Sequence, residues 1–184
     1  MIILPDRLKK AAKAANVDAE ALAAALPKPS SRRKQDELAL KKVTNWMSGR
    51  NHPRAKPQEV AALAGALGVE PRDLVRFTST SRFVRSTPRK ARLVVDLVRG
   101  KRVDEAQALL QFSPRRASVF VWKALNSAIA QAESADAAID RLYITDGRVD
   151  DSVRIKRFQP KDRGRAHPII KRTCHITIGV EERA

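Results

Sequence analysis

The sequence predicts an α+β chain: a small all-α part first, then three helices followed by a long β-hairpin. Three observations carry this reading. Over residues 1–78, short apolar stripes of helical spacing alternate with prolines and glycines. From Pro88 to about Ser134 the apolar period stays near 3.6 over longer runs, and after Leu142 it changes to two. A length of 184 residues suits one ordinary domain or two small ones, each able to bury a core.

Charge narrows the partner. Lys and Arg number 37 against 20 Asp and Glu, a net +17. A polyanion is therefore the first partner to consider. Hydrophobic residues at 43% exceed what a disordered basic tail carries, so the charge sits on something folded. Aromatic residues are only 4%, which argues against a base-stacking platform and for contact through phosphate charge and shape. The single cysteine, Cys174, makes no internal disulfide. The longest nearly apolar stretch, Val60 to Val69, is too short to span a bilayer and is broken by Gly65 and Gly68. Met1 to Pro5 lacks the charged start and long apolar core of a signal peptide, so a cytoplasmic protein without a membrane partner is expected.

The domain boundary is expected at the polar stretch Thr78 to Ser81, which separates a helical extension, 1–78, from a second domain, 79–184. The extension carries 15 basic and 8 acidic side chains, net +7; the remainder carries 22 and 12, net +10. Pro5 or Asp6 opens a first helix running to Asn16, and Asp18 caps a second that Pro27 ends. Beyond a basic loop, Ser30 to Lys34, a third helix is predicted from Asp36 to Met47 with Leu38, Val43 and Trp46 buried, stopped by Gly49. Pro57 starts a fourth, with Val60, Leu63, Ala64 and Leu67 as its stripe and Gly68 as its end; Pro71 begins a last turn.

The run Val17 to Leu26, then Trp46 to Gly49 with Pro53, then Leu63 to Val69 resembles the repressor-type helix-turn-helix family. Between Leu26 and Trp46 this chain is longer than that family, in the tight turn before the recognition helix. The resemblance thus supports a small helix-turn-helix-like bundle better than it supports reading of DNA bases. Expected nucleic-acid contacts on the extension are Arg32, Arg33, Lys34, Lys41, Lys42, Arg50, Arg54 and Lys56, and a base-reading helix would use Lys41, Lys42, Thr44 and Asn45.

In the second part Thr80 to Arg85 reads as extended, and Thr87-Pro88 starts a helix. Its apolar stripe is Ala91, Val94, Val95 and Val98, while Arg85, Arg89, Arg92 and Arg99 form a ridge on another face. Gly100 closes it, Asp104 caps a second helix through Leu110, and Ser113-Pro114 starts a third from Arg115 to about Ser134. Strand alternation then runs through Leu142, Ile144, Val153 and Ile155, and returns through Ile170, Cys174, Ile176, Ile178 and Val180. These make a hairpin arm, about 142–180, around a loop at Pro160 to Pro168. From Val153 to Arg172 it carries eight basic side chains against Asp162 alone, net +7. A solvated face needs no such density, and clustered arginines suit phosphates through bidentate hydrogen bonds.

Thr80 to Lys101, Ala106 to Leu110, Lys123 to Ala128, Pro160 to Ala166 and Lys171 to Ile178, in that order, resemble the bacterial-type large-subunit ribosomal protein twenty-two family over residues 79–183. The resemblance implies three helices on a small antiparallel sheet at the outer face of the large subunit. It also implies a hairpin that reaches into ribosomal RNA to line the peptide exit tunnel, and a part in subunit assembly. Implied partners are large-subunit rRNA, neighbouring ribosomal proteins and the nascent chain, in a cytoplasmic ribosome and without a cofactor. Carried over by position, the rRNA contacts are Arg82, Arg85, Arg89, Lys90, Arg92, Lys123, Asn126, Lys156, Arg157, Lys171, Arg172 and His175. The tunnel tip is Lys161, Arg163, Gly164, Arg165, Ala166 and His167.

Enzyme readings find little support. Cys174 and His175 are adjacent, so on a strand they face opposite ways and make no nucleophile and base pair. Asp150-Asp151 has no histidine or third carboxylate beside it, Gly100-Lys101 lacks a phosphate-binding glycine loop, and scattered histidines with one cysteine make no zinc site. Two function classes remain: a structural RNA-binding subunit of the ribosome, and a DNA-binding regulator acting through the extension.

Overall fold

The computed structural model describes residues 1–27 and 35–183, and the chain divides into two units. One comprises Met1–Phe77 with Ala135–Ala137; the other comprises Thr78–Ser134 with the segment from Ala138 onward. Arg32, Arg33 and Lys34 of the expected basic loop lie outside the described residues.

The first unit holds a short strand β1 (Ile2–Ile3), helices α1 (Pro5–Ala15), α2 (Ala19–Ala25), α3 (Gln35–Met47), α4 (Pro57–Leu67) and α5 (Pro71–Leu74), and the start of β2 (Val75–Val84). Proline opens α1, α4 and α5, where its missing N–H has no intrahelical partner to lose. Gly68, at φ 65°, closes α4 in the left-handed region. β1 lies antiparallel to the start of β2, with Ile2 opposite Arg76. Leu8, Leu22, Val43, Trp46, Leu63 and Phe77 fill the core. Leu38, expected in that core, is 55% exposed. Five residues separate it from Val43, and at 3.6 residues per turn that step carries it off the buried face.

The second unit contains the rest of β2, helices α6 (Pro88–Val98), α7 (Val103–Phe112) and α8 (Arg116–Glu133), and strands β3 (Leu142–Asp151), β4 (Ile155–Pro160), β5 (Ala166–Lys171) and β6 (Cys174–Glu182). β6 lies between β2 and β3, with α6 packed on β3, α8 on β6 and α7 against α8. Val94, Val98, Val121, Leu125, Ile144, Ile176 and Ile178 are buried between these layers. A bulge at Thr145, where Ile144 faces Val180 and Asp146 faces Gly179, switches the inward positions of β3 from Leu142 and Ile144 to Gly147 and Val149.

Several expectations change. The polar residues 78–81, where the two units divide, are part of a ten-residue strand; Thr78 is buried, and Thr80 Oγ1 lies 3.1 Å from Thr177 Oγ1 on β6. Asp104 sits in the first turn of α7, one residue inside its start, where the helix dipole favours a carboxylate. The hairpin is two ladders: β3 with β6 roofed by helices, and β4 with β5 projecting as an arm. At their junction Ser152 N–H donates to Thr173 carbonyl (3.1 Å) and Thr173 Oγ1 donates to Val153 carbonyl (2.7 Å). The loop is shorter than expected, because pairing runs to Pro160 opposite Ala166 and Pro168 is itself a strand residue opposite Phe158. Nothing from Val153 to Arg172 is buried, so the apolar Val153, Phe158 and Ile170 stay exposed on the arm. Among the described residues no helix is long and apolar enough to cross a membrane.

Candidate nucleic-acid interface

The starts of α6 and α8 come together with the end of β5 around a cleft of about 760 Å³. Arg85, Lys90, Arg115, Arg116, Lys171 and Arg172 line it, with the hydroxyls of Ser86 and Thr87 at its wall and Leu93, Ala117, Phe120 and Ile170 supplying the apolar surface. No carboxylate of the described residues lines it. The positive ends of two helices thus add to six cationic side chains. Thr87, the residue before α6, makes no side-chain bond to the helix's own N–H groups. A smaller hollow of about 400 Å³ adjoins, formed by Thr87, Pro88, Arg89, Arg92, Asp151 and Arg172.

Of the expected contact residues, the structure gathers Arg85, Lys90, Lys171 and Arg172 in the cleft and Arg89 and Arg92 beside it. Arg115 and Arg116 were not in the expected set. Their signal was legible: two arginines directly after Ser113-Pro114, at the positive end of a long helix. Arg92 is partly committed, donating from Nε and Nη2 to Val149 carbonyl at 3.4 and 3.2 Å. Arg99, at the far end of the ridge, donates to the carbonyl of Gly147 and pairs with Asp96 at 3.6 Å.

Other expected contacts stand elsewhere. Arg82 is exposed on β2 and Lys123 on α8. Asn126 Oδ1 accepts from Gln107 Nε2 at 3.2 Å, tying α8 to α7. His175 Nδ1 accepts the backbone N–H of Phe83 at 3.1 Å, and the two rings meet edge to face at 4.8 Å. Its neighbour Cys174 is buried on the opposite side of the strand, where burial and then the charge of Asp151 push the thiol up, against an opposing effect of Arg92. On the arm, Lys156 and Arg157 are exposed on β4, and the tip residues Lys161, Arg163, Gly164, Arg165, Ala166 and His167 are all exposed. The turn closes through Lys161 N–H to Arg165 carbonyl at 2.6 Å, with Arg163 and Gly164 in the left-handed region at φ 54° and 69°.

On the first unit, Lys41, Arg50, Arg54 and Lys56 are exposed, whereas Lys42 Nζ donates to Glu59 Oε1 at 2.6 Å. Burial works against ionisation of Glu59, but hydrogen bonds from Lys42 and from the Lys56 N–H outweigh it and hold the carboxyl below its usual range.

The family model for ribosomal protein L22p/L17e matches residues 79–181. The chain belongs to the ribosomal protein L22p/L17e family. Three relatives are each called large ribosomal subunit protein uL22. That of Lactobacillus gasseri is 52% identical over 104 residues, covering 56% of this chain and 89% of the relative. That of Lactobacillus helveticus is 51% identical over 104 residues, with the same coverage. That of Clostridium novyi is 46% identical over 105 residues, covering 56% and 95%. L22p/L17e proteins are structural components of the ribosome and not enzymes. The basic cleft and the arm both fall inside the matched span, and residues 1–78 fall before it.

Proposed function

We propose that this L22p/L17e chain is a structural constituent of the large ribosomal subunit that binds large-subunit rRNA through the cleft at the starts of α6 and α8. The observation that carries this is the convergence of six cationic side chains and two helix N-termini on one hollow without a carboxylate among the described lining. Such a surface grips phosphates and neutralises them without reading bases. The arm extends the same chemistry: its exposed cations follow RNA as it leaves the domain, and its tip lines the peptide exit tunnel beside the nascent chain. Neighbouring ribosomal proteins complete its surroundings, and the many phosphate contacts favour early docking during subunit assembly.

The test is binding of the purified chain to large-subunit rRNA as a function of salt. About six phosphate contacts lower affinity roughly 10³-fold between 50 and 200 mM salt. Replacing Arg115 and Arg116 with alanine lowers the salt slope by about 2. Affinity that is insensitive to salt, or a slope unmoved by those substitutions, overturns the reading.

A further inference from the structure

We propose that the loop joining α3 to α4, Ser48 to Lys56, is a second rRNA-backbone contact, contributed by the unit that precedes the matched family span. The loop carries Arg50, Arg54 and Lys56, with His52 between them, and no acidic residue. All four side chains are exposed. Among the described residues, none of the four forms a side-chain ion pair.

The loop is held from beneath. Trp46, wholly buried in α3, donates its indole N–H to Pro53 carbonyl at 2.8 Å, and Asn45 Nδ2 donates to His52 carbonyl at 3.1 Å. Ala55 is buried, and the Lys56 N–H donates to Glu59 Oε2 at 2.9 Å. With the backbone that carries these cations already held, only their side chains remain to be ordered when a phosphate chain arrives.

The same bonds decide between backbone contact and base reading. Of the four α3 residues suited to reading bases, Lys42 is paired with Glu59, Asn45 supports the loop, and Thr44 Oγ1 donates to Leu40 carbonyl at 2.8 Å. Lys41 alone remains turned outward without such a bond among the described residues. A helix whose hydroxyl, amide and one of two lysines are already bonded within the chain has few groups left to read sequence, whereas duplex RNA is recognised by shape and phosphate position. The chain's membership of a ribosomal family makes rRNA the polyanion at hand.

This inference rests on the proposed rRNA-binding function, and the experiment separates the two. The full chain is titrated with large-subunit rRNA across a salt series, alongside the triple variant R50A, R54A, K56A and the cleft variant R115A, R116A. The loop variant is expected to lower the salt slope by about 2–3, additively with the cleft variant. W46F and, separately, N45A release the loop while keeping its charge, and are expected to lower affinity with the slope unchanged. A loop-variant slope equal to wild type, with the cleft variant still reduced, overturns the loop and leaves the cleft reading standing. Equal slopes for all variants overturn both. If one DNA sequence displaces rRNA from the cleft variant but not from the loop variant, at a concentration where random-sequence duplex does not and with little dependence on salt, the loop serves DNA base reading and the proposal is wrong.

Discussion

Gly147 on β3 lies so close beneath α6 that a Cβ at that position would stand 2.8 Å from Cγ1 of Val95. Val95 is buried, and its branched side chain is confined to one main rotamer in a helix, so it has nowhere to move. The same added carbon would lie 3.7 Å from Arg99 Nε, an ordinary contact, so the clash is with Val95 alone. Gly147→Ala is therefore expected to destabilise the second unit by about 1–3 kcal/mol through overpacking. In urea the midpoint should fall with an unchanged slope; an unmoved midpoint would mean that α6 rides up freely on the sheet.

Glu59 makes the first unit sensitive to acid. Its folded carboxyl titrates below its ordinary value of 4.5, so the stability it contributes is fully present above that value and is lost as pH falls through the lower, folded one. Lys42→Met removes the strongest partner while leaving the carboxylate buried. At neutral pH this should cost about 1–3 kcal/mol, and Glu59 should then protonate at higher pH, moving the acid transition of the first unit upward. Glu59→Gln should flatten that transition. Fluorescence of Trp46, buried in the same core, follows it across the pH series.

Helices were the legible part of this fold, because their starts are written locally. Pro57, Pro71 and Pro88 each occupy the first position of the helix they were expected to open. β2 was legible only in part, since Thr78 to Arg82 has no apolar alternation. Its strand character comes from pairing with β6, nearly a hundred residues away, where Thr80 and Thr177 exchange a hydroxyl contact. The Thr145 bulge is equally non-local: only the register against Val180 and Gly179 reveals it. For the site, periodicity put Arg85, Arg89 and Arg92 off the apolar stripe. What it did not carry was the packing that sets the start of α8 beside the start of α6 and so adds Arg115 and Arg116. Likewise nothing local to Lys42 announces Glu59 as its partner.

Asn126 separates a packing role from an RNA contact. Its carboxamide oxygen is bonded to Gln107 across the α7–α8 contact, and the residue is half-buried. Asn126→Ala is expected to cost about 0.5–1.5 kcal/mol of stability and to leave the salt slope of rRNA binding unchanged. Lys123, exposed on the same helix, should behave in the opposite way: Lys123→Ala should reduce the slope by about 1 with stability unaltered. Denaturation and binding on both variants distinguish the roles: a neutral amide releases no counterions, so a lowered rRNA affinity of Asn126→Ala at fixed salt, with stability unchanged, would place that amide on RNA after all.

The arm should be dispensable for folding and for placing the globular domain, and needed for the shape of the tunnel wall. None of Arg157 to Ile169 is buried, so their removal uncovers no core, and the β3–β6 ladder already closes the sheet beneath the helices. Lys156 faces Ile170 across the arm, so replacing residues 157–169 by Asn-Gly joins those partners through a two-residue hairpin turn and keeps the register below it. Ile170, Lys171 and Arg172 stay in the cleft. The shortened chain is expected to unfold within about 0.5 kcal/mol of the original, as substitutions remote from a core do. It should still bind rRNA, with a smaller salt slope because Arg157, Lys161, Arg163 and Arg165 are gone. In a map of large subunits carrying it, the globular domain should occupy its usual place and the tunnel wall should be open where the tip had been. An unaltered tunnel profile would show that the tip lies elsewhere, and a chain that fails to fold would show that the exposed arm supports the core from outside.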